Sequence, residues 1–131
     1  MEADKEKSVT RIPIKFIIDN VGEAEGELAR HLAPRTIGAI ANKLPIEGRV
    51  ALWKEEIYFE IPVEMGDEKA KPEVEKGTIA YWPLGKALCV FYGESQPYSP
   101  VNILGKITKN LEIFADAKSG TRIKVTQQPA E

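Results

Sequence analysis

The run from Gly77 to Gly93, GTIAYWPLGKALCVFYG, constrains the fold more than any other stretch of the chain. Two apolar segments flank a Pro-Leu-Gly turn, and only Thr78 and Lys86 interrupt them. A strand with one wet face alternates apolar and polar residues, yet Ala87, Leu88, Cys89, Val90, Phe91 and Tyr92 are apolar at both parities. Either both faces of this strand are covered, or one of them lines a pocket.

The rest of the sequence limits what can do the covering. A chain of 131 residues fits one domain that buries about two thirds of its unfolded surface. Hydrophobic residues make up 43% and charged residues 29%, which suits a folded soluble protein that needs no metal or disulfide. With a net charge of -2 and Lys and Arg interleaved with Asp and Glu, the chain lacks the basic cluster that displaces counterions from phosphates, so no nucleic-acid partner is expected. Cys89 is the only cysteine and His31 the only histidine, which removes a disulfide framework, thiolate zinc sites and multi-histidine metal sites. No metal and no cofactor are expected. MEADKEKSVTR, with charges of both signs and no apolar core, reads as a flexible tail over residues 1–10 rather than a signal peptide. Nothing approaches the roughly eighteen apolar residues of a membrane-spanning helix. A cytoplasmic protein without membrane contact is the expectation.

Periodicity predicts up to eight strands. They are Pro13 to Asp19, Ala24 to Ala29, Gly48 to Lys54, Ile57 to Val63, Thr78 to Trp82, Leu88 to Tyr92, Val101 to Thr108 and Thr121 to Thr126. In the fourth, Ile57, Phe59, Ile61 and Val63 share one face while Tyr58, Glu60 and Pro62 share the other. One helix is predicted from Pro34 to Lys43: proline suits its first turn, Ile37, Ile40, Ala41 and Leu44 fall on one face, and Pro45 cannot continue it. A single helical turn is expected at Leu111 to Ala115, and Glu64 to Lys76 reads as a solvated loop. With no repeat and no linker, these pieces predict one all-β domain, a closed or nearly closed barrel with helices over its ends.

Taken in order, the pieces resemble the cyclophilin fold. Ala33 to Thr36 is similar to the entrance of the first cyclophilin helix, IYFEIPV (Ile57 to Val63) to the strand that carries Phe-His-Arg and ends in proline, NILGKITKNLEIF (Asn102 to Phe114) to the Phe-Gly-Lys-Val segment with its short helix, and SGTRIKV (Ser119 to Val125) to the closing strand. The central run, with LWKEEIYFEIPV before it and VNILGKI after it, resembles more closely a prokaryotic family of minimal cyclophilin-like proteins of unassigned activity. The resemblance implies a closed eight-stranded barrel with one or two capping helices and a pocket on its wall.

It also implies a test of activity. Cyclophilins are prolyl isomerases: they lower a barrier of about 18 to 20 kcal/mol by desolvating the X-Pro amide while an arginine hydrogen-bonds the substrate. Aligned on Pro62, Phe59 takes that arginine's position, and a shift of one residue puts Glu60 there. The five arginines, Arg11, Arg30, Arg35, Arg49 and Arg122, all lie outside the pocket strands.

Other chemistry is sparse. No two glycines have the spacing of a phosphate loop, and Pro97 occupies the second glycine position of a nucleophile elbow at Gly93 to Pro97. His31 reads as a surface residue near a helix entrance. Cys89 reads as a small buried hydrophobe whose pKa burial raises, unless it opens into a pocket. Glu55, Glu56 and Glu60 stand near Trp53, Tyr58 and Trp82; they are either solvated charges or carboxylates desolvated against aromatic walls, and the second case favours a cationic or hydrogen-bond-donating ligand. Trp82, Tyr81, Phe91, Tyr92 and Tyr98 read individually as core, but a small barrel cannot hold them all inside, so the outward face of Ala87 to Tyr92 is covered by the Pro97 to Pro100 loop or left as a groove.

A wall groove lined by Tyr58, Glu60, Trp82, Cys89, Phe91 and Asn102 is therefore expected to bind a peptide segment or small molecule, with Asn102 as the hydrogen-bonding residue. The rival is an enzyme: a slow prolyl isomerase, or a carboxylate-assisted catalyst using Glu56 or Glu60. A third reading makes the apolar wall a homodimer patch, so both monomer and homodimer stand open.

Overall fold

Alternation builds the first hairpin of the computed structural model, which describes residues 10–129. In β1 (Arg11–Ile18), Ile12, Ile14, Phe16 and Ile18 turn inward; β2 (Gly22–Ala29) answers with Ala24 and Leu28, and the two pair antiparallel along their full length. Pairing with β1 extends β2 two residues beyond its apolar alternation, back to Gly22. The expected tail lies outside the described residues except for Thr10.

Helix α1 (Pro34–Ala41) follows, then β3 (Ile46–Arg49), β4 (Ala51–Trp53), β5 (Glu56–Glu60), β6 (Thr78–Trp82), β7 (Ala87–Phe91), β8 (Asn102–Lys109) and β9 (Arg122–Gln127). Short 3-10 turns occupy Arg30–Leu32, Pro83–Gly85 and Leu111–Asp116. All the strands join one antiparallel sheet in the order β3-β9-β1-β2-β8-β6-β7-β5-β4. Since β3 and β4 are the two ends of that order and are joined through Val50 alone, the sheet curls into a nearly closed barrel.

The barrel has nine strands rather than the expected eight because Gly48 to Lys54 is divided at Val50. The Val50 amide donates to the Thr121 carbonyl (2.8 Å), and the Gly120 amide donates to the Val50 carbonyl (2.7 Å). That interaction holds the chain to the approach of β9, and beyond it the backbone turns to pair with β5. At the β2–β8 seam the backbones meet closely at Gly105, where a Cβ would stand 1.9 Å from the Glu27 carbonyl oxygen, so only glycine fits.

Inside, residues from both halves of the barrel form one cluster, including Ile57, Phe59, Ile79, Tyr81, Leu88, Val90 and Leu104. Ile37 and Ile40 of α1 join it, as does Phe114, packed edge-on to Phe16 with ring centroids 5.5 Å apart. Burial of each such side chain contributes about 1.5 to 3 kcal/mol. A second, smaller cluster of Ala80, Cys89, Phe91 and Val101 lies on the outward face of β6 and β7, with Tyr58, Val74 and Trp82 packed against it. The double-parity apolar run is thus covered on both sides, by the barrel interior and by loops outside.

Those loops are fastened. The segment expected as a solvated loop, Glu64 to Lys76, has exposed charges but a tied backbone. Lys71 and Val101 exchange backbone hydrogen bonds of 2.8 and 3.0 Å, and the Gln96 side-chain amide engages the amide and carbonyl of Val74. Glu68 caps α1 from this segment, accepting from the backbone amides of Arg35 (3.0 Å) and Thr36 (2.8 Å) and from the Thr36 hydroxyl (2.8 Å). This distant carboxylate supplies the cap that Ala33, at the helix entrance, cannot. Among the described residues no helix is long and apolar enough to cross a membrane.

Candidate functional site

Outward positions of β4 and β5 bring Trp53, Glu56 and Tyr58 to the barrel wall, and β6 adds Trp82 beside them. The chain after Gly93 folds back and brings up Pro97, Tyr98 and Val101. Together these seven residues line a cleft of about 220 Å³. Its aromatic rings are set edge to face in a chain: Trp53 and Tyr98 at 5.7 Å and 87°, Tyr98 and Trp82 at 6.2 Å and 76°, Trp82 and Tyr58 at 5.8 Å and 83°.

The frame of the cleft is pinned. The Trp82 indole donates to the Ser99 hydroxyl at 2.7 Å, and Ser95 accepts from the Glu55 amide at 2.9 Å. The Glu55 carboxylate in turn accepts from the Glu94 amide at 2.9 Å. On the opposite side of Trp82, the 3-10 turn packs so closely that a Cβ on Gly85 would stand 2.4 Å from the indole ring. The Trp53 indole nitrogen is buried without a hydrogen-bond partner, and the exposed Lys54 ammonium sits 5.3 Å from that ring's centroid.

Glu56 is the one charged residue of the lining, and it is 5% exposed. Burial raises its pKa to about 7, against a smaller opposing effect of a hydrogen bond with Cys89. Near neutral pH the group therefore exists in both protonation states and can donate or accept. Cys89 beneath it is fully buried; desolvation first, and then the Glu56 charge, push its thiol well above the ordinary range. That environment makes it a packing residue rather than a nucleophile.

The structure brings together Tyr58 and Trp82 of the expected groove, and Glu56 of the expected catalytic pair. Cys89 and Phe91 form the buried layer behind the cleft instead of its surface. Glu60 is exposed and outside the lining. Asn102 is fully buried elsewhere: its side chain accepts from the Glu68 amide (2.8 Å) and donates to the Gly66 carbonyl (3.0 Å) and the Thr36 hydroxyl (3.2 Å), tying α1 to the 64–68 segment. Tyr98, expected as core, is 72% exposed at the cleft rim, whereas Tyr81 is core as expected. Trp53 stands beside the carboxylates in the sequence, but its meeting with Tyr98 depends on a fold-back that carries no sequence signal. His31 is exposed and its carbonyl accepts from the Lys69 ammonium at 2.9 Å. Among the described residues no group of three or more His, Cys, Asp or Glu is placed to hold a metal ion.

No curated protein matches the chain. Among solved structures, the solution structure of the hypothetical protein AF2241 from Archaeoglobus fulgidus is 33% identical over 91% of this chain and 96% of that one, with a TM-score of 0.79. McbB in complex with tryptophan superposes with a TM-score of 0.75 at 16% identity, covering 90% of this chain but 45% of McbB, a likeness of fold alone. The family model described as Cyclophilin-like matches residues 12–126, from the first strand of the barrel to its last. A match of that extent makes this chain a member of the cyclophilin-like family.

Proposed function

We propose that the protein binds a small molecule, or a single side chain of a peptide, in the aromatic cleft over Glu56, and that it does not act as an efficient prolyl isomerase. The observation that carries this reading is a buried carboxyl group facing an open, preformed apolar cleft whose walls are hydrogen-bonded in place. Concave apolar sites with one or a few placed polar groups are the usual form of small-molecule sites. McbB, which shares this fold over 45% of its length, is known in complex with tryptophan, a small ligand.

None of the five arginines lines the cleft. Phe59, which takes the isomerase arginine's place in one alignment, points into the core, and Glu60, which takes it in the other, is exposed and acidic. The buried free thiol of Cys89 suits a reducing compartment, in keeping with a cytoplasmic protein. A second reading rests on Glu56 alone: a carboxyl with a pKa of about 7 is matched to proton transfer at neutral pH, so the cleft also suits a carboxylate-assisted reaction.

A fragment library soaked into crystals of the protein tests the binding reading. Bound fragments are expected between Trp82 and Tyr98, in contact with Glu56. Fragments found only in other surface grooves, with this cleft left empty, overturn it.

A further inference from the structure

Four rings, one carboxyl group and no lining cation define the chemistry that the cleft would take. Two flat walls facing each other in parallel select a flat ligand. Here consecutive rings turn by 87°, 76° and 83°, so they stand like adjoining walls of a box and suit a rounded group. The only charge of the lining is negative and almost fully buried, and the ion pairs of Arg11 with Glu27, Lys15 with Glu23 and Lys86 with Glu64 all lie away from it. A buried carboxylate without a cation costs free energy, and a ligand that brings the cation removes that cost. Aromatic faces attract the same charge through their quadrupoles, most strongly for Trp and Tyr in a desolvated site.

We infer that the cleft of Trp53, Tyr58, Trp82 and Tyr98 over Glu56 is a cage for a small organic cation, an alkylated or methylated ammonium group. This deepens the proposed function and rests on it. The ammonium occupies the boxed space, with its positive centre shared between the rings and the Glu56 carboxylate. A volume of about 220 Å³ admits such a headgroup with a short stem, and the exposed rim at Tyr98 leaves room for the rest of the molecule to extend into solvent.

The two tryptophans of the chain, Trp53 and Trp82, both line the cage, so intrinsic fluorescence reads its occupancy without a label. The probes are tetramethylammonium and its neutral counterpart tert-butanol, both read by fluorescence, and indole as a flat neutral ligand, read by calorimetry because its own emission overlaps that of the tryptophans, all at matched ionic strength. Tetramethylammonium is expected to change the emission saturably with an affinity about tenfold or more above that of tert-butanol. Glu56→Gln is expected to weaken tetramethylammonium about tenfold and leave the response to indole unchanged. Tyr98→Ala, a truncation at the exposed rim that leaves the core intact, is expected to weaken tetramethylammonium as well. If tert-butanol or indole binds as tightly as tetramethylammonium, or if both variants retain full tetramethylammonium affinity, the cation assignment fails and the neutral-ligand form of the cleft stands. If none of the three probes binds saturably, the cleft reading fails together with it.

Discussion

Glu56 is the residue whose chemistry reaches furthest. Its folded pKa of about 7 lies above the ordinary carboxyl value of 4.5 because burial disfavours the charged form. Between those two values the folded protein keeps a proton that the unfolded chain has released, so stability falls as pH rises from about 4.5 to 7 and levels off above that. Glu56→Gln removes this slope. Urea titrations should show the variant more stable than the parent by about 2 to 3 kcal/mol at pH 8, and nearly equal to it at pH 4. Equal stabilities at both pH values would show that Glu56 is not desolvated in solution. Asn102 has the opposite character, since its polar atoms are all used internally. Asn102→Ala leaves the Glu68 amide and the Gly66 carbonyl without that partner, and should cost about 2 to 4 kcal/mol in denaturant unfolding. Its isolation as a polar residue between Val101 and Ile103 was visible in the sequence. Its partners were not, because they lie on segments 34 to 66 residues away.

Among the elements, the turn between β6 and β7 sets the cleft. Pro83–Gly85 brings the chain back under Trp82, and Lys86 closes the turn in the left-handed region at φ 50°. Since a Cβ at Gly85 would meet the indole at 2.4 Å, Gly85→Ala must displace the Trp82 ring or the turn itself. The variant should keep the barrel, by far-ultraviolet circular dichroism, but show a shifted tryptophan emission and about tenfold weaker ligand binding in the cleft. An emission spectrum identical to the parent's would mean that the turn yields and the ring stays. The elements themselves were largely legible: the inward set of Ile57, Phe59, Ile61 and Val63 follows from period alone, and α1 follows from its proline entrance and apolar spacing. The division at Val50 was not legible. It contains no glycine or proline at the break, and it arises from backbone bonds to Gly120 and Thr121, which no local pattern announces.

At the scale of the whole molecule, the apolar run from Gly77 to Gly93 states the architecture and half of the site. Its inward parity fills the barrel, and its outward parity, Ala80, Cys89 and Phe91, forms the dry layer on which the cleft is built. The other half of the site, Pro97 to Val101, is placed by Gln96, Ser95 and Ser99 through a few side-chain hydrogen bonds to partners 17 to 40 residues away, a signal too small to read from residue types. Loss of the isomerase arginine has a molecular consequence too. In a coupled-protease assay on an X-Pro peptide, the protein should accelerate isomerisation no more than marginally, through desolvation alone. Turnover like that of a standard cyclophilin would require the guanidinium of an arginine, and no arginine is found in the lining. Finally, the bent stave formed by β3 and β4 ends the sheet on both sides, with four residues on one flank and three on the other. Edges so short give an extended polypeptide little backbone to zip onto, so strand addition is closed to visiting chains, and any visitor must be recognised by the shape and charge of the group it inserts.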